Sequence, residues 1–341
     1  MIAYDTAGST IVLTDGAELL VHDGPSEGPL WRRTLDAPIA GVGAAAGAVI
    51  VVDRGGRATW NDPRSDRELA RADAGAQVHA VAVSSKGDLL LATDDGGLVL
   101  TRSGPGVKLA LPHARAVAFA GDGRMLVAAA DGQAGEFDSQ GRLLRTIRLE
   151  GPAVAAAWNS QGFWILATAK KLVRLVDGAL HHLTNAPDGM PVTGVAASQA
   201  GDRIALGLGD DLMIVLAWPS RDSVGQLRYV DRKITGLAFG PAPWLAVGMD
   251  QGDGNKLNLS TGALHRTDTH PGREHHRWLV KVSVDPPAAE PTPAAAPRAP
   301  EPEQAAYAPP APPAAKPAIP RWAAILIALV LLFPVLVILF T

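Results

Sequence analysis

Two pairs of adjacent carboxylates are the first candidates for chemistry in this sequence. Asp94-Asp95 and Asp210-Asp211 would suit a metal site or general acid–base catalysis, because both need closely spaced oxygen atoms. Each pair lies between two apolar runs, with Gly96-Gly97 after the first pair and Gly209 before the second. Gly and Asp are the residue types that tight turns between strands require. The pattern therefore favours hairpin turns over catalytic carboxylates.

Histidines and further acidic residues gather later in the chain. His265, His270, His275 and His276 suggest transition-metal binding by their spacing, but no HExxH helix is present and the neighbouring residues are typical of a loop. Residues 250–255 are similar to a calcium loop, although the ligand order of an EF-hand is not met. A surface loop and a long hairpin are the favoured interpretations, and no metal site is predicted.

Several other kinds of site are disfavoured by the sequence. The 341 residues include no cysteine, which excludes disulfides, thiolate zinc sites and cysteine nucleophiles. The Gly-rich segment 41–47 does not fit the dinucleotide fingerprint, and no GxxxxGK[ST] or GxSxG motif occurs. The net charge is −3 and no basic run crosses the Gly-rich part of the chain. We therefore predict no cofactor, no catalytic residue and no nucleic-acid partner.

One stretch of dense charge, residues 54–73, is the best candidate for a binding surface. Its five arginines are interspersed with acidic residues and with one tryptophan. Arginine and tryptophan are favoured at protein interfaces, so the stretch is a candidate interaction rim; the alternative is a solvated outer edge. The candidate rim residues are Arg54, Arg57, Trp60, Arg64, Arg67 and Arg71.

The most apolar part of the chain is residues 321–341. Eighteen residues, 323–340, carry no charged or polar side chain, which is close to the roughly 20 that a helix needs to cross a bilayer. Arg321 and Trp322 precede the run as interfacial anchors, and Pro334 should bend the helix. We predict a transmembrane helix; a buried helix would need a further domain around it.

The position of nearby cations predicts the orientation of this helix. Arg298, Lys316 and Arg321 all precede it, and positive charge favours the cytoplasmic side. The N-terminal residues lack the pattern of a secretory signal. The sequence thus predicts a tail-anchored protein with its folded part in the cytoplasm, in a bacterial inner membrane. An exported folded part, with the opposite orientation, is the alternative.

Residues 285–320 separate this helix from the rest of the chain. They contain thirteen Pro and thirteen Ala, so they cannot bury enough apolar surface to fold. We predict a disordered spacer. A ligand for a proline-recognising domain, with APPAPP at 308–313, is the alternative.

Residues 1–284 contain seven similar segments, and these predict the elements that must position any surface site. Each has short apolar strands separated by turns with Gly, Asp or Asn. Equivalent positions recur every 36 to 42 residues, at Tyr4, Ala44, Val83, Phe119, Trp158, Ala197 and Phe239. The period predicts an all-β fold, a seven-bladed β-propeller of four-stranded blades. Residues 276–284 should pair with the first blade or complete the last one.

The segments resemble WD40-type repeats. The resemblance covers residues 1–284 and rests on strand–turn–strand stretches such as VAFAGDGRMLVAAADG, followed by turns such as EFDSQG or LVDG. The Gly-His and Trp-Asp dipeptides of the family are absent, with Trp60-Asn61-Asp62 the nearest approach. This resemblance implies a degenerate bacterial propeller and says little about its partners.

Fold, spacer and apolar segment together predict a membrane-tethered, non-catalytic scaffold that binds cytoplasmic proteins. Its expected partners are one or more proteins of unknown identity and, through the C-terminal helix, the lipid bilayer. One alternative is a small-molecule sensor or enzyme that uses the central channel. Another is the propeller partner of an AAA+ ATPase and a von Willebrand A-type protein.

Overall fold

Short apolar runs form strands throughout the folded part of the chain. The computed structural model describes residues 1–4, 10–15, 17–23, 29–187, 189–229, 232–250, 254–262, 264–267 and 277–280. The second strand of a blade is typically buried along its whole length, as in Leu89–Thr93 and Phe163–Thr168. Burial on both faces explains why these strands are continuous apolar runs rather than alternating ones.

Within the described ranges, twenty-eight strands form seven antiparallel sheets, called blades 1 to 7. Blade 1 comprises β1 (Ile2–Tyr4), β2 (Thr10–Asp15), β3 (Glu18–Asp23) and β4 (Trp31–Thr34). Blade 2 comprises β5 (Ile39–Ala45), β6 (Ala48–Asp53), β7 (Arg57–Asn61) and β8 (Glu68–Asp73). Blade 3 comprises β9 (Val78–Val83), β10 (Leu89–Thr93), β11 (Gly96–Thr101) and β12 (Gly104–Leu109). Blade 4 comprises β13 (Ala114–Phe119), β14 (Met125–Ala129), β15 (Gln133–Phe137) and β16 (Leu143–Arg148). Blade 5 comprises β17 (Ala153–Asn159), β18 (Phe163–Thr168), β19 (Lys171–Val176) and β20 (Ala179–Asn185). Blade 6 comprises β21 (Val192–Ala197), β22 (Arg203–Leu208), β23 (Leu212–Ala217) and β24 (Ser223–Tyr229). Blade 7 comprises β25 (Ile234–Phe239), β26 (Trp244–Met249), β27 (Gly254–Asn258) and β28 (Leu264–Thr267).

The architecture is the predicted seven-bladed propeller. Each blade pairs its four strands in chain order, and the seven predicted equivalent positions all lie on first strands. First strands of neighbouring blades contact one another, so they line the central channel. Because strands alternate in direction, the loops fall on two faces. We call the face with the loops between the second and third strands of each blade the upper face, and the face with the first–second and third–fourth loops the lower face.

The hydrophobic core lies between the blades. Within the described residues, seven apolar clusters each join two neighbouring blades, including the pair formed by blades 7 and 1. Leu166 of blade 5, for example, packs in one cluster with Leu126 of blade 4. A single sheet cannot bury both of its faces, so stacking in a ring is what removes this surface from water.

Blades 1 and 7 close the ring by side-chain packing. Each is built from its own four consecutive strands, so no strand is exchanged between them. Ile2 packs against Ala246, and two glycines of blade 7 allow β1 to approach. A Cβ atom on Gly248 would lie 3.0 Å from Cβ of Ile2, and one on Gly236 would lie 3.1 Å from its backbone nitrogen.

The prediction for residues 276–284 was wrong. Residues Arg277–Val280 form β29, which pairs with β24 as a fifth strand of blade 6, with Val280 opposite Gln226 and Arg277 opposite Tyr229. The fourth strands of blades 1, 6 and 7 each have an outer edge that could accept a further strand, and β29 pairs with that of blade 6. Residues 276 and 281–284 lie outside the described residues.

The predicted spacer and transmembrane segment also lie outside the described residues. This applies to 285–320 and to 321–341 with Arg321, Trp322 and Pro334. Among the residues that the structure describes, no helix has the length and apolar character needed to cross a membrane.

Candidate interaction surface on blade 2

Five arginines of the predicted rim are exposed on blade 2. Arg54 and Arg57 lie at the loop between β6 and β7, on the upper face. Arg64 and Arg67 lie in the loop between β7 and β8, on the lower face, and Arg71 lies on the outermost strand, β8. The five side chains thus follow the outer part of one blade from face to face. We call these five residues the blade 2 rim.

Carboxylates near these arginines hold the turns in place. Asp53 Oδ1 accepts a hydrogen bond from the backbone N–H of Arg57 at 2.9 Å, and Asp73 Oδ1 accepts one from Gly75 at 2.8 Å. Asp62 Oδ1 accepts two, from Arg64 at 2.8 Å and Ser65 at 3.0 Å. The bond from Arg64 holds the pKa of Asp62 below its ordinary value. These acidic side chains are therefore committed to local structure.

The rim arginines differ in whether they already have an acidic partner. Arg71 donates to both carboxylate oxygens of Glu68, at 3.0 and 2.6 Å, and this hydrogen bonding lowers the pKa of Glu68. The other four lie beyond ion-pair distance of every carboxylate in the described part of the chain; they are Arg54, Arg57, Arg64 and Arg67. Their guanidinium groups are available to a negatively charged partner.

Trp60 does not belong to this surface, contrary to the prediction. Its side chain is fully buried in the cluster between blades 2 and 3, and its indole Nε1 donates to the carbonyl of Gly87 at 2.8 Å. The dense charge around Trp60 suggested exposure. Successive side chains of β7 point to opposite faces of the sheet, and Trp60 lies on the same face as buried Ala58, which explains why it is buried.

A groove of about 210 Å³ lies beside the rim, between the outer strands of blades 1 and 2. Three arginines and three acidic residues contribute to its walls: Arg33, Arg57, Arg71, Asp36, Asp53 and Glu68. Arg33 also approaches Asp66, with Nη2 to Oδ1 at 3.2 Å, while burial raises the pKa of Asp66. Trp31 Nε1 donates to the carbonyl of Pro63 at 2.9 Å, which ties blade 1 to the lower loop of blade 2.

A second charged cluster lies at the upper end of the channel. The sequence did not predict that these side chains come together. Asp94 Oδ1 lies 2.9 Å from His79 Nε2 and 3.0 Å from Arg115 Nη1, joining blade 3 to blade 4. Hydrogen bonds from Arg115, and then from His79, lower the pKa of Asp94. Asp94 and Asp95 form a turn between strands, as do Asp210 and Asp211, so the turn predictions are confirmed.

A buried carboxylate links blades 4 and 5. Glu136, on β15, is 2% exposed and approaches two arginines of its own blade: Arg124 Nη1 at 2.5 Å and Arg145 Nε at 2.9 Å. Trp164 of blade 5 donates its indole N–H to the same carboxylate at 3.1 Å. Trp158 then stacks edge-to-face on Trp164, with ring centroids 4.7 Å apart, beneath the guanidinium of Arg124. Sequence spacing gave no sign of this network.

Metal binding receives no support from the described residues. No group of three or more His, Asp or Glu side chains there is arranged to hold an ion. His270, His275 and His276 lie outside the described residues, as do 251–253 of the calcium-like segment. Asp250 is described, and its Oδ1 accepts a hydrogen bond from the backbone N–H of Lys233 at 3.0 Å.

No protein-family model matches the chain. No curated protein matches it either. Among solved structures it is similar to the β-propeller domain of Cps50 (Swd1) from Myceliophteria thermophila, with a TM-score of 0.63 and 12% identity. The match covers 79% of this chain and 96% of that one. The fold is therefore an all-β propeller of seven four-stranded blades.

Proposed function

We propose that the protein is a membrane-tethered, non-catalytic scaffold that binds an acidic surface of a cytoplasmic partner protein through the blade 2 rim. The observation that carries this proposal is the set of four exposed arginines without an ion-pair partner in the described residues. The carboxylates of Asp53, Asp62 and Asp73 accept hydrogen bonds from backbone N–H groups, and none of the three lies within ion-pair distance of these arginines.

Arginine is well suited to this task. Its planar guanidinium has five donors in a fixed arrangement that matches a carboxylate, and it is less strongly hydrated than a lysine ammonium. An isolated surface ion pair contributes only about 0.2–1 kcal/mol. Several arginines on one rigid blade act together, and they also accelerate encounter with an acidic partner.

Tethering is supported by the sequence. The apolar segment 321–341 has the length of a bilayer-spanning helix, and 285–320 has the composition of a spacer. The cations that precede the apolar segment support the cytoplasmic orientation. Such an arrangement would place bound partners close to the membrane.

The experiment is crosslinking of the full-length protein in its native membrane, followed by solubilisation and mass spectrometry of what co-purifies. Two charge reversals separate the faces: Arg54→Glu with Arg57→Glu on the upper face, and Arg64→Glu with Arg67→Glu on the lower face. Lys86→Glu with Lys170→Glu is the matched control, because both lysines are exposed on other blades and the change in net charge is the same.

One rim variant should lose most of the captured partner while the control variant keeps it, and raised salt should weaken capture by the unmodified protein. The variant that fails identifies the face that the partner uses. If both rim variants and the control capture the same partner in equal amount, binding through the blade 2 rim is refuted. Thermal unfolding of each variant shows that the propeller is intact.

A further inference from the structure

A cleft opens between blades 6 and 7 on the lower face, away from the blade 2 rim. It encloses about 370 Å³, within the roughly 300–1,000 Å³ that small-molecule pockets occupy. Its walls come from the first–second loops of both blades and from the third–fourth loop of blade 7. Six lining residues matter here: Ser198, Asp202, Arg203, Phe239, Pro243 and Trp244.

One wall of the cleft is apolar and partly aromatic. Phe239, Pro243 and Trp244 line it and are half-buried, so part of each ring remains open to the cleft. Lys256 Nζ lies 5.7 Å from the ring centroid of Trp244. Flat aromatic groups pack well on such walls, in offset or edge-on geometry.

The polar wall carries one carboxylate, Asp202, and one guanidinium, Arg203. Asp202 Oδ1 accepts a hydrogen bond from the hydroxyl of Ser198 at 2.8 Å, and Asp202 Oδ2 lies 3.7 Å from Nε of Arg203. Nη1 of Arg203 is buried and has no hydrogen-bond partner in the described part of the chain. The Arg203 side chain lines the cleft and is 29% exposed, so a carboxylate brought into the cleft would lie beside an incompletely paired guanidinium and stabilise it.

We propose that this cleft binds a small molecule with an aromatic ring and a carboxylate. The ring lies against Trp244 and Phe239, and the carboxylate accepts hydrogen bonds from Arg203. A cationic ligand is disfavoured, because the Asp202 carboxylate already has a hydroxyl donor and a guanidinium beside it. The cleft lies on blades 6 and 7 and the partner surface lies on blade 2, so the ligand proposal and the partner proposal can be refuted independently.

The test uses purified full-length protein and three probes of one shape: phenylacetate, neutral phenylacetamide and cationic phenethylamine. Isothermal titration measures the affinity of each probe. Arg203→Met removes the guanidinium but keeps an apolar stem, and Asp202→Asn removes the acidic charge. Arg221→Met is the matched control, since Arg221 is exposed on the same face of blade 6 and does not line the cleft.

Phenylacetate should bind more tightly than phenylacetamide, and Arg203→Met should weaken it by about tenfold or more, the usual loss for a hydrogen bond to a charged group. Asp202→Asn should leave phenylacetate binding unchanged or tighter, and Arg221→Met should not alter it. Absence of saturable phenylacetate binding, or equal affinity in Arg203→Met, overturns the proposal. So does tighter binding of phenethylamine that depends on Asp202. Unchanged thermal unfolding of the variants excludes a folding defect.

Discussion

Removal of the buried carboxylate between blades 4 and 5 should destabilise the propeller strongly. Glu136→Ala deletes the acceptor shared by Arg124, Arg145 and the indole of Trp164. Arg145 then loses its counter-ion, Arg124 keeps only its ion pair with exposed Asp122, and one buried N–H loses its acceptor. We expect the free energy of unfolding to fall by about 3 kcal/mol.

The magnitude follows from burial. Glu136 is 2% exposed, and breaking a buried ion pair by removing one partner costs roughly 3–5 kcal/mol. The side chains of Arg124 and Arg145 are 31% and 36% exposed, so water can partly replace the lost carboxylate. This partial hydration places the expected effect at the lower end of the range.

Equilibrium unfolding in urea and thermal unfolding measure the effect. For a domain of this size, about 3 kcal/mol corresponds to a decrease in Tm of roughly 6–12 °C. Glu68→Ala is the matched control, because Glu68 also binds an arginine through two contacts but does so at the surface. An exposed pair contributes about 0.2–1 kcal/mol, so this variant should change little.

Two outcomes would refute the reasoning. The first is a Glu136→Ala protein whose stability differs from the unmodified protein by no more than the Glu68→Ala control does. The second concerns a triple variant in which Glu136, Arg124 and Arg145 are all replaced by methionine. The one carboxylate that then lacks its arginine, Asp122, is exposed to water, so the triple variant should regain at least half of the lost stability. A triple variant less stable than Glu136→Ala would show that the ionic contacts themselves stabilise the fold, and that the loss in Glu136→Ala is not simply the cost of unpaired charge.

Three further changes test other parts of the structure. Gly248→Ala should lower the free energy of unfolding, measured in urea, by about 1–3 kcal/mol, because the new Cβ would lie 3.0 Å from Cβ of Ile2. Trp60→Phe should cost roughly 2–3 kcal/mol in the same assay, since it leaves a void and removes an indole hydrogen bond. Asp94→Asn should lower Tm at neutral pH. Because the native pKa of Asp94 lies below the ordinary 3.8, this stabilisation is present above that value and disappears as the pH falls through the native pKa. The Tm values of the two proteins should therefore converge in acid.

Controls for these changes come from the same chain. Gly194→Ala should be close to neutral, because a Cβ there meets no atom within 4 Å. A Gly248→Ala protein as stable as Gly194→Ala would contradict the proposed close packing at the ring closure. For Trp60, stability equal to that of the unmodified protein would contradict its role in the core. For Asp94, a Tm difference that stays constant down to the most acidic pH would contradict the assigned pKa direction.

The ring could be predicted because its period is local. Strands and turns recur within each stretch of 36 to 42 residues, and every blade forms from consecutive strands, so the sequence pattern and the sheet pattern coincide. The strand after blade 7 could not be placed in this way. β29 pairs with β24 of the preceding blade, and apolar character alone does not specify which free edge a strand will join.

The sequence predicted where charged side chains are exposed, but it did not predict which charged side chains contact each other. Five arginines of the rim are exposed, whereas Trp60 is buried, because strand alternation prevails over the charge of its neighbours. Asp94 and Glu136 find partners on adjacent blades, which lie 21 and 28 residues away at Arg115 and Trp164. Such contacts depend on how the blades are stacked, and no spacing rule within one repeat contains that information.

The junction of blades 7 and 1 gives the propeller a seam of a particular kind. At six interfaces the peptide chain passes from one blade to the next, but at the seventh the blades meet through non-covalent contacts alone. Parting the blades there would break no backbone ladder and no covalent link. The ring is therefore topologically an open strip held shut by Ile2 and its neighbours. A rearranged gene that links the end of β28 to the start of β1 and cuts the chain between two other blades would keep the four consecutive strands of each blade together and move the seam.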